Sequence, residues 1–381
     1  MDIIFLGTSS AMPTLQRNCS STALRFVQDG EVWLFDCGEA TQHQIQKSSI
    51  RPSRITRIFI THLHGDHCFG LPGLICTLCN SSMPNREPLQ IYGPVGLRAF
   101  LRATLRLSSS RLMTSYCVHE ILPRRPDPDA IDSHVASDSL KIDVPHSDEA
   151  PGIDLSVSAD GCWTLLKSDR VTVVAGELRH RVTCYGFVVK EADSPGKLDA
   201  PKCKQLGVPP GPAYAALKRG EDWTLPNGEI VRSADVVGPP LMGRKVVILG
   251  DTCDSSGIAQ AAMDADVLVH ESTHADDLMR LAVEYGHSTP SMAGAFAKST
   301  RSHNLVLFHF STRYGTGALK EKDALPNAAC SDAEGPQEGQ GSGDIDELVR
   351  QAKVAFGSDR VVAAYDLMVF AVPRLNPIAS V

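Results

Sequence analysis

The sequence predicts an α/β protein, and three observations carry that expectation. Short apolar, β-branched runs alternate with helical stretches along the chain. One such run, 55–60, leads directly into a turn crowded with ligand-type side chains. With 381 residues, 43% hydrophobic and 21% charged, the chain has ample material for a large core.

Taken in order, strands are expected at 2–6, 22–27 and 32–36, a helix near 39–47 and a strand over 55–60. Residues 67–82 read as a helix behind the crowded turn. Within it Cys76-x-x-Cys79 lies among Leu74, Ile75 and Leu78, so the pair reads as a buried helix face rather than half of a zinc site. Strand 89–92 leads through Gly93-Pro94 to a helix with Arg98, Arg102 and Arg106 on one side. The stretch 121–160, rich in Pro, Asp and Ser, has no sustained period and is expected to be an inserted, partly disordered surface loop. Strands resume at 170–177 and 185–190, and a Pro/Gly/Lys segment over 190–228 reads as a projecting arm. There follow strand 246–249, helix 256–263, strand 267–269, helix 289–301 and strand 304–310. A low-complexity stretch at 315–343 is expected to be a second insert, before helix 344–356 and strand 361–365. No internal repeat is present, and 1–381 reads as one domain bearing an arm and two inserts.

The crowded turn is Thr61-His62-Leu63-His64-Gly65-Asp66-His67, with three imidazoles and one carboxylate in six residues. Neutral imidazole nitrogen and carboxylate oxygen suit Zn²⁺ and similar divalent ions. One tetrahedral zinc with an open position needs only three protein ligands, so four from one turn point to two neighbouring metals.

Composition narrows the partners. A net charge of −7 gives no global signature of nucleic-acid binding, which must then come from a local basic surface. Between 190 and 219 six basic residues (Lys190, Lys197, Lys202, Lys204, Lys218, Arg219) stand against three acidic ones (Glu191, Asp193, Asp199). That is a modest excess, able to meet phosphates locally. Eleven scattered cysteines point to a reducing compartment. The first strand begins directly after Met1, which leaves no room for a cleavable presequence and predicts a cytoplasmic or nuclear location. The uncharged stretch 67–85 is broken by Gly70, Pro72 and Gly73, so no membrane span is expected.

Three further ligand-type residues sit at predicted strand ends: His180 after 170–177, Asp251 after 246–249 and His309 within 304–310. Singly, each has an ordinary explanation: a surface histidine, a turn residue, a satisfied core histidine. In this order, however, His-x-His-x-Asp-His, a lone His, Gly-Asp-Thr and a strand-borne His resemble the metallo-β-lactamase superfamily. Within it the chain is similar to the short form of tRNase Z, the tRNA 3′-processing endoribonucleases. The likeness begins at Phe5-Leu6-Gly7-Thr8 and Arg17-Asn18, and continues through Phe35-Asp36-Cys37-Gly38-Glu39 and Phe69-Gly70-Leu71-Pro72-Gly73. Leu206-Gly207-Val208-Pro209-Pro210-Gly211-Pro212 resembles the family's glycine-proline arm motif. His270-Glu271-Ser272-Thr273, His287-Ser288-Thr289 and Ala364-Tyr365-Asp366-Leu367 resemble its three characteristic loops.

The resemblance implies a metallo-β-lactamase-type αβ/βα sandwich, two packed sheets with helices outside and the metals at one edge. It implies two Zn²⁺ per subunit, with Mn²⁺ also suiting the donors. His62, His64 and His180 would hold one ion, Asp66, His67 and His309 the other, and Asp251 would bridge. Asp66 would act as base or orienting group, and His270 would protonate the leaving oxygen, with Glu271 orienting it. Substrate contacts would come from Lys197, Gly207, Pro210, Gly211, Pro212, His287, Ser288, Thr289 and Asp366. The implied partners are precursor tRNA and a second copy of the chain, with the arm gripping tRNA across the homodimer. Pro195-Gly196-Lys197-Leu198-Asp199 resembles the family's Pro-x-Lys-x-Arg-Asn loop but lacks the Arg-Asn. Two alternatives are a general zinc phosphodiesterase, which has no need of an arm, and a non-catalytic RNA-binding relative, against which the seven filled ligand positions argue.

Overall fold

The computed structural model describes residues 1–80, 87–124, 142–315 and 344–374. In chain order, β1 (Asp2–Gly7), β2 (Ser21–Arg25), β3 (Val32–Phe35), β4 (Ile55–Phe59), β5 (Leu89–Pro94), β6 (Tyr116–Ile121), β7 (Glu149–Ala150) and β8 (Asp154–Leu155) build a first sheet. Next, β9 (Trp163–Lys167), β10 (Val171–Leu178) and β11 (Cys184–Glu191) open a second sheet. A separate two-stranded hairpin follows, β12 (Trp223–Thr224) with β13 (Ile230–Val231). The second sheet is then completed by β14 (Lys245–Ile248), β15 (Val267–Glu271), β16 (Leu305–Phe308) and β17 (Val361–Ala363). Finally β18 (Val369–Ala371) crosses back to pair with β1. The first sheet is parallel from β3 to β6 and the second from β14 to β17, so connecting loops gather at the carboxyl ends of both.

Strand alternation explains why two sheets stack. Ile3 and Phe5, Trp33 and Phe35, Val267 and Val269 point into one core between the sheets. Their neighbours Ile4 and Leu6, Leu34, and Leu268 point outward into two further cores under helices. The helices 71–80 and 97–107 cover the first sheet, while 290–299 and 345–356 cover the second. The result is a four-layer αβ/βα sandwich. At its centre Phe59 stacks on Phe35 and Tyr92, each at 5.0 Å between ring centroids, and meets Phe187 of the other sheet at 5.5 Å.

Several expectations need correction. The helix expected over 67–82 is two helices, Gly65–Cys68 and Leu71–Asn80, with 81–86 outside the described residues; Cys76 and Cys79 do lie on the second. The stretch 121–160 is not simply a loop: β7 and β8 both pair with β6. Side-chain chemistry explains the order, because the helix Leu97–Leu107 buries Leu97, Leu101 and Leu105 and turns its arginines the other way. Arg98 pairs with Glu120 and Asp154, Arg102 with Glu149, and Arg106 donates to the carbonyls of Val144 and Pro145. Residues 125–141 of that stretch, and 316–343 of the second expected insert, lie outside the described residues.

The arm is longer than 190–228. It leaves after β11 and returns at β14 through a stalk bridged at Ser194–Leu241 and Leu198–Val237. Beyond the stalk lie the helices Ala200–Gln205, Pro212–Lys218 and Ser233–Val236. A private core of Cys203, Val208, Ala213, Leu217, Val231 and Val236 binds them, and its last two members lie past residue 228. Gly211, at φ +105°, opens the second of these helices in a conformation that a side chain would strain.

Phe59→Ala should cost about 3–5 kcal/mol, since the ring is fully buried and leaves a cavity where four aromatics meet. Phe69, 65% exposed, should tolerate the same change within about 0.5 kcal/mol. Urea unfolding of both variants checks the contrast.

Candidate metal centre

Four chain segments meet at the carboxyl edge of the sandwich. β4 runs into the turn carrying His62, His64, Asp66 and His67. β10 ends two residues before His180, β14 three before Asp251, and β16 immediately before His309. His309 therefore follows its strand rather than sitting within it, and it adopts φ +56°, a conformation uncommon for a residue with a side chain. That turn swings the imidazole to the edge. Asp36, at φ +61° just past β3, is held in the same unusual region.

The seven ligand-type residues come together in two adjoining groups. In one, His62 Nε2 and His180 Nε2 lie 3.0 and 3.2 Å from His64 Nδ1. In the other, His67 Nε2 and His309 Nε2 are 3.2 Å apart, and each is 3.5 Å from Asp66 Oδ2. Asp251 stands between them. Its Oδ2 lies 3.7 Å from His62 Nε2 and 4.0 Å from His180 Nε2, and its Oδ1 lies 3.4 and 3.3 Å from His67 and His309 Nε2.

Whether these donors fit cations can be tested on the far side of each ring. His180 Nδ1 donates to the Gly286 carbonyl at 2.7 Å and His67 Nδ1 to Asp36 Oδ2 at 2.7 Å. His62 Nδ1 is 3.0 Å from the Thr61 hydroxyl, which itself donates to Asp36. His309 Nδ1 is 2.9 Å from the Thr273 hydroxyl, which donates to Glu271 Oε2 at 2.5 Å. In these four rings the outer nitrogen thus carries a proton, and whenever the ring is neutral its inner nitrogen turns a lone pair to the centre. Lone pairs facing one another at 3.0–3.2 Å repel unless a cation lies between them. Asp251 Oδ1, buried with no hydrogen-bond partner, asks for the same thing. The donor set fits divalent cations.

Electrostatics agree. Burial lowers the proton affinity of His62, His64 and His180, taking His64 to about 4, so these rings are neutral as ligands must be. Burial acts the same way on His67, yet Asp251, Asp36 and Asp66 together push it well above the histidine range. The surrounding carboxylates thus draw positive charge onto this ring. Burial opposes ionisation of Asp66, but His67 and His309 hold it well below the usual carboxylate range.

His270 has a different place from the one expected. It shares the outward face of β15 with Leu268, whereas Glu271 shares the inward face with Val269. His270 is 1% exposed, near Phe296, with Nδ1 donating to the Glu271 carbonyl at 2.8 Å and Nε2 3.1 Å from the Ser255 hydroxyl. Both nitrogens are engaged under the helix layer, away from the metal-side cavity. His287 is the histidine that reaches that cavity, of about 340 Å³, alongside His64, Asp66, Asp251, Phe69 and Arg181. Its Nδ1 lies 3.1 Å from Glu271 Oε1 and 3.7 Å from Asp251 Oδ2. Burial alone would lower its pKa, but the Glu271 carboxylate raises it to about 9.

Three expected substrate contacts are also turned inward. Ser288 is buried with its hydroxyl on the Thr252 carbonyl, and Thr289 is fully buried at the start of the helix Pro290–Ser299. Asp366 accepts from the Thr8 hydroxyl, the Asn18 amide and the Gln44 amide group, so it ties the N-terminal loop in place. Lys197, Gly207, Pro210, Gly211 and Pro212 are exposed on the arm. Asp36, Thr61 and Thr273 carry no ligand signal of their own, because their role is to orient histidines from behind. Only pairing a buried carboxylate with each ligand in three dimensions reveals them.

Comparison with known proteins gives consistent likenesses. The family of the anti-Pycsar protein Apyc1 matches over residues 1–115. The human zinc phosphodiesterase ELAC protein 1 is 43% identical over 377 residues, spanning 98% of this chain and 99% of that protein. Ribonuclease Z of Crocosphaera subtropica is 37% identical over 376 residues, with 98% and 99% covered. Among solved structures, human tRNase Z, short form, superposes with a TM-score of 0.63 at 32% identity, over 98% of this chain and 100% of that one. The metallo-β-lactamase fold protein YhfI from Bacillus subtilis, 14% identical, shares the fold at a TM-score of 0.52, with 97% and 98% covered.

One backbone contact holds His180 in place from behind. A Cβ on Gly286 would stand 2.7 Å from His180 Nδ1 and 3.1 Å from the Arg181 amide, and Gly286 lies at φ +77°. Gly286→Ala should therefore displace the His180 ring and weaken metal binding roughly 10- to 100-fold. Competition with a chromophoric chelator measures it.

Proposed function

Since this chain belongs to the family of ribonuclease Z and the zinc phosphodiesterase ELAC protein 1, we propose the reading of its edge site that follows from that membership. The protein is a metal-dependent endoribonuclease that removes the 3′ trailer from precursor tRNA after the discriminator nucleotide. The observation that carries this is identity of 37–43% along essentially the full chain, arm included.

Two ions per subunit are the best match to the two donor groups, with Asp251 offering one oxygen to each. Zn²⁺ suits imidazole-rich sets, and Mn²⁺ is compatible with the carboxylates. His62, His64 and His180 would hold one ion, and Asp66, His67 and His309 the other. Bound there, the cations supply Lewis acidity that eases deprotonation of water and offsets charge on the phosphate.

The chain's own groups then manage two protons. Asp66, on the cavity wall with Oδ2 held by the Ala11 amide at 2.7 Å, accepts a proton from the attacking water. A new P–O bond forms to that water oxygen as the bond from phosphorus to the upstream 3′ oxygen breaks. His287 gives its proton to that leaving oxygen. Its Nδ1 is committed to Glu271, and Nε2 has no partner among the described residues. The products are a 3′-hydroxyl on the tRNA body and a 5′-phosphate on the trailer. His287 thus replaces His270 as proton donor, with Glu271 orienting it.

The arm, with Lys197 and the exposed Gly207, Pro210, Gly211 and Pro212, is assigned to gripping the tRNA body from across a homodimer. Its support is a private core, which lets it stand as a preformed element away from the sheets. Among the described residues no helix is long and apolar enough to cross a membrane. A cytoplasmic or nuclear location accords with the free cysteines among them.

Incubation with a 3′-extended precursor tRNA should give chelator-sensitive cutting after the discriminator nucleotide, with a 3′-hydroxyl; hydrolysis of only a simple phosphodiester would move the protein to the general phosphodiesterases. Asp66→Ala should abolish cutting while tRNA binding persists. His287→Asn should lower kcat by about 10²–10⁴. His270→Asn should instead cost about 1–3 kcal/mol of stability and leave kcat within a few-fold, because it disturbs a buried hydrogen-bonded ring outside the cavity. Single-turnover cleavage and thermal melts of the two variants separate these roles.

A further inference from the structure

We propose that a groove beside the metal-side cavity binds backbone phosphates of the RNA that flank the scissile bond; this rests on the ribonuclease Z reading above. The groove has a volume of about 430 Å³ and is lined by Arg124, Glu177, Arg179, Arg181, Asp254 and Ser256, among others. Arg181 is the residue common to its lining and to that of the metal-side cavity. The two spaces are therefore neighbours across one residue.

The charges in the groove are unequally committed. Glu177 pairs with Arg124 at 3.4 Å, and Arg124 also lies 5.4 Å over the Trp163 ring. Asp254 Oδ1 accepts from the Ser256 amide at 2.9 Å. Arg179 and Arg181 are exposed, and neither guanidinium has a hydrogen bond or ion pair among the described residues; Arg181 rests 5.7 Å over the Tyr285 ring. The backbone that carries them is fixed. Arg179 exchanges amide and carbonyl bonds with Asp254 and Cys253 at 3.1 and 2.9 Å, and His180 between them is tied to Gly286. Two free guanidiniums on a held segment form a preorganised pair of phosphate sites.

A small diester needs only the metal-side cavity, so it gains nothing from Arg179. A polyanion passing through that cavity must leave it in two directions, and the groove provides one of them with positive charge along it. Guanidinium–phosphate contact is independent of base sequence, as an enzyme serving many precursors requires. The net charge of −7 makes such a local cationic track necessary.

Arg179→Ala is the decisive variant, because Arg179 does not line the metal-side cavity. Kinetics on precursor tRNA should show KM raised about tenfold with kcat largely kept, and a salt dependence of log KM shallower by about 0.7. Arg179→Lys should restore much of the loss. Precursors with a single-nucleotide and with a longer 3′ extension identify the phosphates: a defect only with the longer one assigns them to the trailer, and an equal defect assigns them to the acceptor strand. Unchanged KM and salt slope would overturn the groove, as would an equal loss on a chromogenic small diester, which would mark Arg179 as a support for His180. Failure of the unmodified protein to cut precursor tRNA, with the small diester still hydrolysed, would instead overturn the ribonuclease Z reading.

Discussion

A carboxylate 2% exposed, with one oxygen lacking any hydrogen-bond partner, sets the terms for this molecule. Asp251 cannot be left uncompensated in a desolvated setting, since an isolated buried charge costs several kcal/mol. The protein meets that demand with imidazoles rather than with arginine or lysine. Burial keeps His62, His64 and His180 neutral, while the carboxylates draw positive charge onto His67 and His287. The neutral rings of this shell offer lone pairs suited to cations, and their outer hydrogen bonds fix their tautomers. Two further buried carboxylates enforce those tautomers, Asp36 behind His67 and His62, and Glu271 behind His309 and His287. One sits past the end of β3 and the other at the end of β15, so each sheet contributes one orienting carboxylate.

Much of this was legible in the sequence. Strand positions followed from β-branched runs, and the metal turn from the spacing of residues 62–67, because both signals are local. What was hidden was parity. A parallel strand buried on both faces is apolar throughout, so Val267-Leu268-Val269 does not say which face of β15 meets the other sheet. The resemblance points to His270 as proton donor, whereas in the structure the inward residue of β15 is Glu271 and the histidine that reaches the cavity from this region is His287. His309 offered a similar difficulty, since a left-handed turn after an apolar strand leaves no trace in propensity.

The order in 142–155 was illegible for another reason. β7 and β8 are two residues each, too short for any periodic signal, and arginines 40–56 residues upstream tack them down. Ion pairs of that sequence separation cannot be read from local composition. The arm shows the reverse case. Its Pro-Pro-Gly-Pro segment signals a special backbone, yet composition does not mark its far end, because the residues that seal its core return late, at Val231 and Val236.

The donor set also divides unevenly along the chain: His62, His64, Asp66 and His67 come from the first sheet's half, and His180, Asp251 and His309 from the second. Neither half holds a complete set, and the bridging carboxylate belongs to the later one. Cations seated there act as rivets between the two sheets, so metal occupancy and sandwich stability are one linked equilibrium. A cell that starves this enzyme of metal would then lose protein as well as turnover, because the unriveted chain is the form that opens to proteases.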